Sequence, residues 1–158
     1  MARVEINNLT RRPVPRFAYT TIAATALPDW DISLVFVGPK KAQELNMQLR
    51  KKSYVPNVLS YALGEKSGEI FICLTEAEKQ APSHGMSNRE FVLFLFIHGL
   101  LHLKGWAHGS TMERCEKKLL AQFATRTRRA SALHVTENSN RNRHRHLPSQ
   151  SGSRRRAR

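Results

Sequence analysis

Apolar and polar positions divide the chain into short alternating segments, one long apolar block and a polar end. Arg3 to Ile6 alternates weakly and predicts a first strand. Phe17 to Leu27 carries apolar residues at helical spacing and stops at Pro28. Ile32 to Val37 (ISLVFV) is rich in β-branched and aromatic side chains, which predicts a strand, and Gly38-Pro39 breaks it. Proline suits the first turn of a helix, and Lys40 to Lys51 follows with good helix formers. Val58 to Leu63 and Glu69 to Leu74 are two further strand candidates. The polar stretch Gly64-Glu65-Lys66-Ser67-Gly68 between them predicts a hairpin. Thr75 to Gln80 reads as a short helix.

Ser87-Asn88-Arg89-Glu90 has the capping-box pattern, with Ser at the cap and Glu three residues on. The helix it opens should run from about Asn88 to Lys104 and end at Gly105. Its residues FVLFLFI, then Leu100, Leu101 and Leu103, are apolar almost all round, which predicts a central, buried helix. Ser110-Thr111-Met112-Glu113 repeats the pattern and opens a last helix to about Thr125, with Leu119, Leu120 and Phe123 facing the core. The mixed order gives an α+β or α/β class, with about four strands and four or five helices.

Charge changes the picture at one end. Of a formal +14, the stretch from Arg126 to Arg158 carries +9, from ten arginines against the single acid Glu137. Large apolar residues nearly vanish there, and such a stretch cannot bury enough surface to offset its ordering entropy. The expected organisation is one domain over 1–125 and a basic, disordered tail over 126–158. A basic tail favours polyanions, with nucleic acid the commonest. Its arginines have no aromatic neighbours in sequence, so the contacts expected are to phosphates rather than bases. His134, His144 and His146 sit among these arginines and read as solvated, and His84 reads as an exposed loop residue.

Cys73 and Cys115 make no disulfide framework and read as buried small hydrophobes. Met1 to Thr10 has no apolar h-region, and Phe91 to Ile97 is far too short to span a bilayer. The expectation is a cytoplasmic protein with no membrane partner.

The candidate chemistry lies in His98-Gly-Leu-Leu-His102-Leu-Lys-Gly105-Trp-Ala-His108. His98 and His102 are four residues apart and share one helix face. Gly105 lets the backbone reverse, so that His108 can return as a third ligand. A single His on an apolar helix is usually a hydrogen-bonded core residue. Two at this spacing and a third after a glycine turn fit a shared metal. Three histidines with one open position are the donor set of a catalytic zinc site. The spacing also fits the metzincin proteases, but they place Glu directly after the first His as general base, where this chain has Gly99.

HGLLHLKGWAH resembles the H-G-x-L-H-L-x-G-Y-D-H signature of the YbeY family, the bacterial rRNA-maturation endoribonucleases. Leu45-Asn46-x-x-x-Arg50 followed by Pro56-Asn57-Val58-Leu59-Ser60-Tyr61 resembles its L-N-x-x-x-R and T-[DN]-V-L-S-F segments, and Gly68 to Cys73 resembles its G-D-I-x-I-[SC] strand. The resemblance covers residues 1 to 125. It implies an α+β fold with a small mixed sheet and a zinc ion in a cleft, held by His98, His102 and His108. It implies a single-strand-specific, metal-dependent RNase acting in 16S rRNA 3′-end maturation and ribosome quality control, with rRNA and the small ribosomal subunit as partners. Arg50 takes the place of the family's basic residue facing the site, where its guanidinium would stabilise charge on a phosphate. The chain departs from the family pattern at Ala107 (usually Asp), Trp106 (Tyr), Glu69 (Asp) and Ala62 (Pro). Losing the Asp at position 107 removes a candidate acceptor for a ligand imidazole. That leaves two other readings: a metal-stabilised ribosome-binding factor without hydrolytic activity, and a hydrolase of another substrate.

Overall fold

The computed structural model describes the backbone of residues 1–141 and the side chains of residues 1–125. In chain order the elements are β1 (Arg3–Asn8), α1 (Tyr19–Ala26), β2 (Asp31–Val37), α2 (Pro39–Arg50), β3 (Val58–Gly64), β4 (Ser67–Cys73), α3 (Leu74–Gln80), a 3-10 turn (Ala81–His84), α4 (Asn88–Leu103) and α5 (Ser110–Arg141). The class is α+β, with a four-stranded mixed sheet in the order β1-β2-β4-β3. β1 and β4 both run parallel to β2, while β3 and β4 form the expected antiparallel hairpin.

The alternation of β2 sets the layers. Successive strand residues face opposite sides, so Ile32, Leu34 and Phe36 enter the main core together with Ile70 and Ile72 of β4. Val35, Val37, Phe71 and Cys73 form a smaller core with Ala42 and Leu45 of α2. The main core also takes Ile22, Ala23 and Ala26 of α1, the apolar residues of α4, and Met112, Leu119 and Phe123 of α5. Helix α4 meets α1, α3, β3 and β4. A helix covered by that many elements must be apolar on most of its circumference, and ten of its sixteen residues are buried.

The ends of α4 follow its sequence signals. Ser87 Oγ accepts from the Glu90 N–H and Glu90 Oε2 accepts from the Ser87 N–H, the reciprocal capping box. At the other end Trp106 N–H donates to the Leu101 carbonyl and Gly105 N–H to the His102 carbonyl. This is the Schellman pairing, and it requires the residue after the cap to be left-handed. Gly105 meets that requirement with a φ of +91°.

Two local expectations change. The cap before α5 falls on Gly109, whose carbonyl accepts from Glu113 N–H, rather than on Ser110, which is already helical. The backbone of α5 continues to Arg141, beyond the end predicted near Thr125. Of the disordered tail expected over 126–158, residues 142–158 lie outside the described residues. Among the described residues no helix is long and apolar enough to cross a membrane.

Candidate metal centre

Helix α4 carries His98 and His102 one turn apart, and the glycine-ended turn brings His108 back beside them. The ring centroids lie 4.5 Å apart for His98 and His102, 4.7 Å for His102 and His108, and 5.2 Å for His98 and His108. One ring nitrogen from each lies within 4.8 Å of the others, so the three could hold a metal ion. His98 and His102 are half-buried and His108 is exposed.

The hydrogen bonds fix which nitrogens face inward. His102 Nδ1 lies 3.0 Å from the Trp106 carbonyl oxygen. A carbonyl can only accept, so His102 Nδ1 carries the proton. His98 Nδ1 lies 2.6 Å from Glu116 Oε1 of α5, where the carboxylate accepts in the same way. Both rings therefore turn their Nε2 lone pairs inward, and these two atoms are 3.0 Å apart. At that distance either a shared proton or a metal ion has to lie between the two nitrogens. The donor set fits a metal ion: two imidazoles on one helix face, each with its second nitrogen held by an acceptor, and His108 beside them.

Burial pushes the His102 pKa below its ordinary value of 6.5, and the neighbouring His98 and His108 add to the shift. The Trp106 carbonyl and Glu116 oppose it without reversing it. The unfolded chain therefore takes up a proton at this position at higher pH than the folded chain does. The stabilisation is present above the unfolded value and is lost as pH falls through the folded one. The thermal midpoint of the metal-free protein should fall between pH 7 and pH 5, and His102→Ala should flatten that fall. Scanning calorimetry at several pH values measures both.

Arg50 ends α2, is exposed, and its Nη1 donates to the Tyr54 hydroxyl at 3.3 Å. The structure brings the three histidines together and pairs Arg50 with Tyr54. Asn46 of the same motif is fully buried and fastens the segment after α2: its Nδ2 donates to the Tyr54 carbonyl at 2.9 Å. Gln43 Nε2 donates to the Ser53 carbonyl at 2.6 Å.

Glu116 is the residue the sequence reading missed. It stands in register with Met112, Leu119 and Phe123 on the buried face of α5, and a lone acid on an apolar stripe was the available signal. Ala107 is exposed, and the acceptors for the imidazoles of His98 and His102 come instead from Glu116 and a backbone carbonyl. Glu69 lies on β4, where it accepts from the Tyr61 hydroxyl at 2.5 Å. Burial first, and then this carboxylate, push Tyr61 up to about 12. His84 is exposed and stacks on Phe91. Cys73 is buried, while Cys115 is only half-buried. The side chains of His134, His144 and His146 lie outside the described residues.

Fold and site together define an α+β protein with a cluster of three histidines that could hold a metal ion. A family model described as Endoribonuclease YbeY matches residues 5–125. Endoribonuclease YbeY of Mesoplasma florum is 37% identical over 100 residues, covering 56% of this chain and 59% of the relative. Its counterpart in Thiobacillus denitrificans is 33% identical over 112 residues, covering 65% and 76%. The solution structure of TM1509 from Thermotoga maritima superimposes with a TM-score of 0.60 at 22% identity, covering 81% of this chain and 93% of that one, a likeness of fold. The chain belongs to the endoribonuclease YbeY family. It spans about three fifths of the length of curated relatives such as the Mesoplasma protein.

Proposed function

We propose that this chain is a cytoplasmic zinc-dependent endoribonuclease that cuts single-stranded RNA. Its substrate in this reading is the 3′ region of 16S rRNA, met on the small ribosomal subunit during maturation and quality control. The observation that carries the reading is the approach of two Nε2 lone pairs to 3.0 Å with both Nδ1 atoms held by acceptors. Family membership supports it, since the matched relatives are named endoribonucleases.

His98, His102 and His108 would hold the zinc. Zinc in such a site polarises a phosphoryl oxygen and lowers the pKa of water. The protein's own part is to keep the imidazoles neutral and aimed, and to bind the strand. Arg50 has the geometry to grip phosphate oxygens through two N–H groups and to stabilise the charge they gather during displacement. Lys51 and Lys52 follow it directly, and Tyr54 beside it is 53% exposed, so its ring face is open to an unpaired base. The anchors from Asn46 and Gln43 hold this basic and aromatic segment in place. The strongly basic 126–158 would add contacts to phosphates without sequence preference.

The reading of a metal-stabilised, non-catalytic ribosome-binding factor drew on the missing acid at position 107. Both imidazoles of α4 have acceptors without it, from Glu116 and the Trp106 carbonyl. The test is single-turnover cleavage of an RNA bearing the 16S 3′ region, single-stranded or annealed to its complement, with zinc and with a chelator. Cleavage of the single strand alone, and only with zinc, is expected. Binding to subunits without cleavage would turn the assignment to the binding factor. Arg50→Ala should keep the bound zinc and lower kcat by about 100- to 1,000-fold, the range for removing one charge-stabilising donor.

A further inference from the structure

We infer that Glu116 is the positioning residue of the metal centre, holding His98 in the Nδ1–H tautomer with Nε2 aimed at the point the three histidines share. This rests on reading those histidines as metal ligands. Met112, Leu119 and Phe123 around Glu116 on α5 are 2%, 4% and 4% exposed, and Glu116 itself is 7% exposed. A carboxylate among such neighbours loses hydration that a leucine would never have needed, so its presence requires a partner. Its partner is His98 Nδ1, at 2.6 Å.

The two imidazoles of α4 are oriented by different means. His102 is set by the Trp106 carbonyl, a backbone group that arrives with the glycine-ended turn. His98 stands one turn earlier on α4, and its acceptor comes from a side chain eighteen residues away on another helix. Without that acceptor either nitrogen of a neutral imidazole can carry the proton. A proton on Nε2 would occupy the lone pair the metal needs. The carboxylate therefore selects the tautomer, limits ring rotation and makes Nε2 more basic. The bond also crosses from α4 to α5, so the last helix takes part in shaping the centre although it supplies no ligand.

The test uses the full chain and zinc as the probe. Glu116→Leu removes the acceptor and suits the apolar stripe. Glu116→Gln keeps an acceptor oxygen and removes the charge. Zinc affinity is measured by competition with a chelator, and the His98 tautomer is read from its ¹⁵N shifts in the metal-free protein. Glu116→Leu should fold at least as stably as the wild type, bind zinc about 10- to 100-fold more weakly and show His98 in mixed tautomers. Glu116→Gln should keep the Nδ1–H tautomer with a smaller loss of affinity. A role confined to joining the two helices would lower the unfolding midpoint and leave affinity and tautomer alone, and that result would overturn the assignment. If Glu116→Leu does not fold, wild-type affinity in Glu116→Gln overturns it as well, and weakened binding supports it. A wild-type chain that takes up no zinc would overturn the metal reading and this assignment with it.

Discussion

His102→Ala should bind no tightly held zinc and should cleave single-stranded RNA no faster than the wild-type protein in chelator. The expected loss in kcat/KM is about a thousandfold or more, equivalent to about 4 kcal/mol of transition-state stabilisation. His102 is the middle member of the cluster, with its ring nearest to both of the others. Removing it leaves His98 and the exposed His108 with ring centroids 5.2 Å apart. The variant should still fold. His102 is half-buried in the last turn of α4, and alanine is the best helix former. Circular dichroism matching the wild type, with zinc and cleavage both lost, assigns the loss to the site. Cleavage that survives in His102→Ala would place the chemistry elsewhere.

Gly99 carries the second large effect. A Cβ built on it would lie 3.1 Å from two carbons of Ile70 on β4, which itself is fully buried. The helix therefore lies so close to the sheet that a side chain here would have to push Ile70 aside by a few tenths of an ångström. Gly99→Ala should lower stability by about 1–3 kcal/mol through overpacking. Gly99→Glu, which installs the residue that proteases with this spacing use as a base, should not fold. It adds volume against Ile70 and buries a charge without a partner, a cost comparable to the whole stability of a domain. Urea unfolding of the alanine variant and the yield of folded glutamate variant check the two. The position after the first histidine faces the sheet, so its side chain cannot serve the metal. A stable Gly99→Glu protein would contradict this packing.

The parts of the fold legible in the sequence are those governed by local rules. The capping box at Ser87, the apolar circumference of α4 and the terminating Gly105 place His98 and His102 on one face and return His108, the three histidines lying within eleven residues of chain. The β3–β4 hairpin is local in the same sense. The crossovers that put β4 between β2 and β3 depend on packing against α2 and α4, and no short window encodes them. Glu116 escaped for the same reason: its role exists only once α5 packs on α4. Sequence neighbourhood points to position 107 for an imidazole acceptor, whereas the fold supplies one to His98 from a different helix. Arg50 was legible as a basic residue at the end of a helix, but its pairing with Tyr54 depends on the anchor from buried Asn46.

The most direct measurement is a zinc titration of the metal-free full chain that follows histidine ¹⁵N shifts and RNA cleavage in the same samples. The account predicts that Nε2 of His98 and His102 and one ring nitrogen of His108 shift together and saturate at one zinc per chain, and that cleavage of single-stranded RNA rises in proportion. Saturation at other histidines, or cleavage that does not follow zinc occupancy, would contradict it.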